Sequence, residues 1–190
     1  EMGCNTFQIF TRNPRAWKPK DLTPSEADAF IGKVSQLDLK PIFSHMPYLS
    51  NLASTRNDIY PKSVDALKGE FARCSRLKVP YIVTHLGSHL GAGMHIGFER
   101  IIKAVDEAFE VEGGGVMLLL ENTAGTRNSM GGSMEDIQRI VEHLAYRDHV
   151  GVCFDTSHAF AAGYDLRTES AVAETISRFD ETIGFERLKL

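Results

Sequence analysis

The sequence predicts an α/β fold, an incomplete TIM (β/α)8 barrel in a single domain that spans residues 1–190. Two observations lead to this prediction. Short apolar runs rich in β-branched and aromatic residues alternate with longer segments of helical periodicity, which is typical of βαβ units around a parallel sheet. The runs number about six, whereas a closed barrel of this kind has eight strands. We therefore expect a partial barrel that is cut short at both ends.

The predicted strands cover residues 4–10, 41–44, 81–84, 115–120, 150–154 and 185–190. The helix after the first strand has a complete start signal, because Thr23 and Glu26 match a capping box and Pro24 takes the first helical position. Apolar residues at spacings of three and four also predict helices over residues 61–77, 98–109, 134–144 and 169–183. Each apolar stripe faces one side only, as expected for helices that pack on the outside of a sheet.

Composition excludes several classes of protein. The 43% hydrophobic content fits a packed domain, no apolar stretch is long enough to span a bilayer, and the chain opens without a basic-then-apolar leader. Three cysteines far apart in the chain are expected to be buried thiols. We expect a soluble cytoplasmic protein with no membrane partner.

Net charge gives no general attraction to nucleic acid, because the formal value is -4. The distribution of charge is more informative. Residues 11–20, TRNPRAWKPK, carry four basic side chains and no acid, interleaved with Trp17. On charge alone, a solvated basic loop and a DNA contact explain this segment equally well.

Four consecutive predicted strands are each followed by a potential metal ligand: His45, His85, Glu121 and Asp155. The carboxyl ends of barrel strands open on one face, so these side chains are expected to converge there. Two imidazoles and two carboxylates suit zinc best, with manganese, iron and magnesium as alternatives. His158 follows Asp155 closely enough to reach the same face from its loop as a fifth ligand.

A single His or Glu near a strand end is more often a capped or solvated side chain than a ligand. Four such residues in the same topological position make that explanation a poor one. Glu121 is the sharpest case, since a carboxylate after five apolar residues is costly to bury without a metal or another cation beside it.

Five segments resemble, in order, the signature loops of endonuclease IV. They read FTRNPRAW, HMPYLSNLAS, THLGSHLG, LLLENTAG and CFDTSHAFAAGYD, and the resemblance runs from about residue 4 to the end. It implies a deoxyribonuclease IV type of phosphodiester hydrolase, a zinc-dependent AP endonuclease of base excision repair. Such an enzyme acts as a monomer on double-stranded DNA, cleaves on the 5′ side of an abasic site and leaves a 3′-hydroxyl.

The resemblance also implies roles for the ligands, with up to three zinc ions in the complete protein. His45 and His85 would bind one ion, and Glu121, the catalytic residue, would bridge it to a second. Asp155 would bind that second ion and His158 the third. The remaining ligands of the family would lie beyond Leu190, so little or no activity is expected from these 190 residues alone.

The resemblance further implies DNA contacts by Asn13, Arg15, Tyr48 and Leu49, some of which would insert into the base stack at the lesion. Together with the basic segment it favours DNA binding over an ordinary solvated loop.

Two other functions stay open at this point. A metal-dependent sugar isomerase or epimerase on a xylose isomerase-like barrel also gathers Glu, Asp and His around metal ions. It should lack the basic loop and the Pro47–Tyr48–Leu49 wedge. The chain could also be an inactive, truncated DNA-binding fragment.

Overall fold

The computed structural model describes residues 3–112 and 115–190, and these residues form one parallel β-sheet. Its five strands lie side by side in the order of the chain. They are β1 (Phe7–Ile9), β2 (Ile42–His45), β3 (Tyr81–His85), β4 (Met117–Glu121) and β5 (Val150–Cys153). Every neighbouring pair is parallel, as in the wall of a (β/α)8 barrel.

A helix follows each strand, which confirms the predicted βα alternation. The helices are α1 (Pro24–Gln36), α2 (Tyr60–Leu77), α3 (Met94–Glu112), α4 (Met134–His143), α5 (Thr156–Ala161) and α6 (Glu169–Thr182). The predicted capping box is present, because the Thr23 hydroxyl accepts the Glu26 N–H and the Glu26 carboxylate accepts the Thr23 N–H. None of the described helices has the length and apolar character needed to cross a lipid bilayer.

The predicted strand over residues 185–190 is wrong in its first half. Phe185–Arg187 form a 3-10 helix, and pairing with β5 begins only at Leu188, which forms a parallel bridge with Val152. The reason is local. Gly184 turns the chain with φ at 92° and the Asp180 carboxylate accepts the Phe185 N–H at 2.9 Å, so a tight turn comes before the chain reaches the edge of β5.

The prediction of three buried thiols is also wrong for Cys4, which is exposed. It lies before the short edge strand β1, where little packs against it. Cys74 and Cys153 are buried as expected, and burial raises the pKa of each thiol to about 12. Both are therefore protonated near neutral pH.

The two faces of the sheet differ in size and content. The outer face packs against the helices in one large apolar cluster, which includes Ile82, Leu118 and Val152. On the inner face lies a separate small layer made of Phe43, Val83, Leu119 and Cys153. Because side chains alternate along a strand, the residue two positions beyond each member of this inner layer belongs to the same face.

Candidate metal centre

All four predicted strand-end ligands lie two residues beyond a member of the inner layer. His45, His85, Glu121 and Asp155 follow Phe43, Val83, Leu119 and Cys153, in that order. The strand register aligns His85 directly with Glu121. The apolar layer therefore forms the floor beneath the four polar side chains, and the parallel sheet places them together at one edge.

In the first group of candidate ligands, two side chains are buried and the third, that of His85, is partly exposed. His45 Nε2 lies 3.3 Å from Glu121 Oε2, and His85 Nε2 lies 3.7 Å from the same oxygen. The Met46 carbonyl is 2.7 Å from His45 Nδ1. Since a carbonyl only accepts hydrogen bonds, it holds the proton on Nδ1 and leaves Nε2 directed at Glu121. We call His45, His85 and Glu121 the inner triad.

The second group shares Glu121, and its other two members are partly exposed. Asp155 caps α5, since its Oδ1 accepts the His158 N–H at 2.8 Å, and its Oδ2 lies 3.8 Å from His158 Nδ1. His158 Nδ1 is also 3.2 Å from Glu121 Oε1. We call Glu121, Asp155 and His158 the outer triad. His158 thus lies on a short helix and not in a loop, which corrects the expectation.

The spacing of these atoms fits metal coordination. Two ligand atoms bound to one tetrahedral zinc ion at about 2.1 Å lie roughly 3.4 Å apart. The 3.3 Å and 3.7 Å separations within the inner triad bracket that value. In each triad one ligand atom from every residue lies within 4.8 Å of the others. Glu121 presents Oε2 to the inner triad and Oε1 to His158, so one carboxylate serves both groups.

Electrostatics distinguish the two inner histidines. Burial lowers the pKa of His45, but hydrogen bonds to Glu121 and to the Met46 carbonyl outweigh this effect and raise it above its ordinary value. For His85, burial and repulsion from His45 and His158 outweigh the attraction of Glu121, so its pKa is lowered. Two imidazoles around one carboxylate cannot both be charged at low cost.

The two triads line a cavity of about 550 Å³ at the carboxyl edge of the sheet. Cys153 lies at its base, and Tyr48 and Leu190 form part of its wall. The cavity is open enough for a ligand to approach the carboxylates from outside. A site of nitrogen and oxygen donors on an apolar floor can hold borderline divalent cations and present them to an anionic substrate.

Comparison with known proteins identifies the family. A family model described as xylose isomerase-like TIM barrel matches residues 1–190. A relative from Methanoculleus marisnigri, named probable endonuclease 4, is 53% identical over 100% of this chain and 68% of its own length. The chain belongs to the endonuclease IV family. A second probable endonuclease 4, from Cenarchaeum symbiosum, is 46% identical over the same shares of the two chains.

The endonuclease IV of Thermus thermophilus has a similar structure, with a TM-score of 0.86 at 32% identity. The match covers 98% of this chain and 65% of that enzyme, so the chain spans just under two thirds of its length. A D-tagatose 3-epimerase-like protein matches with a TM-score of 0.74 at 20% identity, over 97% of this chain and 66% of that one. At that identity the epimerase shows a shared fold alone.

The residues that the endonuclease IV resemblance assigns to DNA lie on two linked loops. Tyr48 and Leu49 are 59% and 37% exposed beside the cavity, as an inserting wedge requires. The Tyr48 N–H donates to the Pro14 carbonyl at 3.1 Å, which joins the wedge to the basic segment. In that segment Asn13 and Arg15 are exposed, and the Asn13 side chain accepts the Arg15 N–H at 2.9 Å. Their contact with DNA stays a prediction.

Arg12 does not share this exposure, although it belongs to the same basic segment. Its guanidinium is buried, with Nε 2.8 Å from the Glu70 carboxylate. Arg73 donates to the Thr11 hydroxyl at 3.0 Å and to the Lys20 carbonyl at 3.0 Å. Arg12 thus anchors the segment to α2 and is unavailable to DNA. Sequence reasoning missed Glu70, because nothing within α2 marks it as the partner of a residue 58 positions earlier.

Proposed function

We propose that the protein is a zinc-dependent AP endonuclease of base excision repair. It hydrolyses the phosphodiester on the 5′ side of an abasic site in duplex DNA, leaves a 3′-hydroxyl and acts as a monomer. The observation that carries the proposal is the Glu121 carboxylate, 5% exposed, with one oxygen toward each ligand triad. Membership of the endonuclease IV family supports it, as do relatives named probable endonuclease 4.

Five side chains of this chain would hold the metal. His45 and His85 would hold one ion, Asp155 would hold a second, Glu121 would be shared between these two sites, and His158 would hold a third. A bound zinc ion supplies Lewis-acid chemistry, which neutralises phosphate charge and activates water near neutral pH. The donor set suits zinc, because imidazole nitrogen and carboxylate oxygen are both ligands of this ion.

The protein contributes positioning and exclusion of water. The Met46 carbonyl fixes the tautomer of His45, and the register between β3 and β4 fixes His85 beside Glu121. The apolar inner layer closes the base of the site. A rigid ligand set of this kind aligns the scissile phosphate without reorganisation during the reaction.

Damage specificity follows from the exposed wedge. Tyr48 and Leu49 would insert into the stack, and Asn13 and Arg15 would hold the adjoining backbone. Kinking a duplex and extruding a sugar costs a few kcal/mol, and least where a base is already missing. The wedge therefore favours abasic sites over intact DNA.

The experiment uses a labelled duplex with one abasic-site analogue, and the same duplex without the lesion as control. We expect the full-length protein with Zn²⁺ to nick the damaged strand on the 5′ side of the lesion, and residues 1–190 alone to cleave it little or not at all. A polymerase should extend the new end, because it carries a 3′-hydroxyl. Prolonged chelation should abolish cleavage and Zn²⁺ should restore it.

Equal cleavage of the undamaged duplex, or cleavage that survives chelation, would contradict the proposal. Epimerisation of D-fructose or D-tagatose in the absence of DNA cleavage would favour the sugar epimerase alternative. Sedimentation at the mass of a dimer would overturn the monomer assignment.

A further inference from the structure

Two asparagine side chains bridge neighbouring loops at the carboxyl edge of the sheet in the same way. Asn51 Nδ2 donates to the Ser88 carbonyl at 3.1 Å while its Oδ1 accepts the Ser88 N–H at 2.9 Å. Asn122 Nδ2 donates to the Asp155 carbonyl at 2.9 Å while its Oδ1 accepts the Asp155 N–H at 2.7 Å. Each amide pairs with a neighbouring backbone as a strand would, beyond the point where strand pairing ends.

The Asn51 bridge joins the wedge loop to the loop that follows His85. Asn51 Oδ1 also accepts the Ala53 N–H at 3.1 Å, and the Asn51 N–H donates to Ser63 at 2.9 Å, so the side chain has little freedom to move. Gly87 is built for this contact, since its φ is +87° and a Cβ there would lie 2.2 Å from Asn51 Oδ1.

The Asn122 bridge lies within the metal centre. Asn122 is 6% exposed, follows Glu121 directly, and holds Asp155 through both bonds of its amide. Its own carbonyl lies 3.0 Å from His158 Nδ1. A carbonyl only accepts, so this contact keeps the proton on Nδ1, the nitrogen that lies nearest Glu121 and Asp155. His158 would then bind an ion of its own through Nε2. One residue thus touches or adjoins all three members of the outer triad.

We propose that these amides are positioning residues with separate tasks. Asn122 sets the geometry of the outer triad and therefore metal affinity. Asn51 aligns the wedge loop with the metal centre and therefore controls how DNA is distorted. The Asn51 task rests on the proposed function, whereas the Asn122 task needs only that the triads bind metal.

The first experiment measures metal binding without DNA. Co²⁺ titration followed by visible absorption, and Zn²⁺ titration against a chromophoric chelator, are applied to wild type, Asn122→Ala and Asn51→Ala. Loss of a residue that orients ligands typically weakens metal binding about 10- to 100-fold. We expect that loss for Asn122→Ala, with an altered Co²⁺ spectrum, and a change within about twofold for Asn51→Ala. Circular dichroism checks that each variant folds.

If Asn122→Ala does not fold, Asn122→Gln keeps the amide but displaces it by one methylene, and it should weaken binding in the same direction. Wild-type affinity and spectrum in a folded Asn122 variant would overturn its task. Equal losses in the Asn122 and Asn51 variants would overturn the division between them.

The second experiment uses the full-length protein, places 2-aminopurine beside an abasic-site analogue and follows its fluorescence, which rises when the base unstacks. For Asn51→Ala we expect a smaller rise and a KM for cleavage raised about tenfold, the equivalent of one or two lost hydrogen bonds. Its Zn²⁺ affinity should stay at the wild-type value. Gly87→Ala should give the same result by steric displacement, and Asn51→Asp, which keeps the acceptor, should recover part of the signal.

If Asn51→Ala gave the wild-type fluorescence change and the wild-type KM, the proposed role of Asn51 in aligning the wedge would be overturned. If the wild-type protein neither unstacks nor cleaves the damaged duplex, the proposed function fails together with the Asn51 task. The Asn122 task is still decided by the metal titration alone.

Discussion

Two glutamates are buried among the residues that the structure describes, and their partners are of opposite kinds. Glu70 on α2 is fully buried, faces the Arg12 guanidinium at 2.8 Å and accepts the Thr11 hydroxyl at 2.7 Å. Glu121 at the end of β4 is 5% exposed and faces three imidazoles. Among the described residues, no Lys or Arg nitrogen lies within 4.0 Å of its carboxylate.

The difference teaches what each carboxylate is for. Its permanently charged guanidinium partner gives Glu70 a structural role, because removal of either residue would leave the other charge buried and unpaired. Imidazoles are neutral over much of the pH range and are themselves metal ligands. The groups around Glu121 can therefore bind a metal cation together with it, but they do not supply a permanent positive charge of their own.

The largest effect is expected when Glu70 is replaced by Ala. Arg12, whose side chain is 4% exposed, would then be buried without its partner. Breaking a buried pair from one side costs about 3–5 kcal/mol. Urea denaturation should show this loss in the free energy of unfolding, independently of added metal.

Glu135→Ala is the matched control, because it breaks an Arg178–Glu135 pair of similar length, 2.9 Å, whose side chains are 55% and 53% exposed. An exposed pair is worth less than about 1 kcal/mol. Replacing both partners, as Arg12→Met with Glu70→Leu, should recover much of the lost stability. If Glu70→Ala lowered the free energy of unfolding no more than Glu135→Ala does, the structural role of Glu70 would be contradicted.

A smaller effect on stability, but a large one on metal, is expected for Glu121→Gln. The amide keeps the shape and removes the charge, so the metal-free protein should unfold with an unchanged or higher free energy. Metal affinity should fall more than about 100-fold, beyond the range seen for residues that merely orient ligands. His158→Ala should lose less, since His158 serves the outer triad alone.

Metal content measured by mass spectrometry after dialysis against Zn²⁺ compares the two variants directly. Equal metal content in Glu121→Gln and His158→Ala would contradict the bridging role. A large loss of stability in metal-free Glu121→Gln would contradict the contrast with Glu70.

The strand-end residues were predictable because two simple periodicities fix them. Apolar runs locate the strands, and the carboxyl ends of parallel strands share one edge. The alternation that pairs Phe43 with His45 and Leu119 with Glu121 was also available from the sequence, and it would have placed these side chains on the inner face.

Features that depend on distant partners were not predictable. Asn51 and Ser88 are 37 positions apart, and Asn122 and Asp155 are 33 apart, so no local pattern marks either bridge. Helix α5 was not predicted, because six residues are too few to show helical periodicity, although Asp155 is a favourable N-cap. The apolar run over residues 185–190 suggested a strand, but the turn at Gly184 delayed its pairing.

The smallest effect is expected from pH in the metal-free protein, and it tests the surroundings of Glu121 directly. The pKa of His45 is raised above 6.5, so its stabilising contribution is complete below pH 6.5 and is lost as pH rises through the folded value. The pKa of His85 is lowered, so its contribution is present above pH 6.5 and is lost as pH falls through the folded value.

Imidazole NMR titration should find the pKa values of the two residues on opposite sides of 6.5. In Glu121→Gln the pKa of His45 should fall, because burial then acts without the opposing carboxylate, whereas in Glu70→Gln it should stay where it was. A His45 pKa that does not respond to Glu121→Gln would mean that this carboxylate is not what stabilises the charged form of the imidazole.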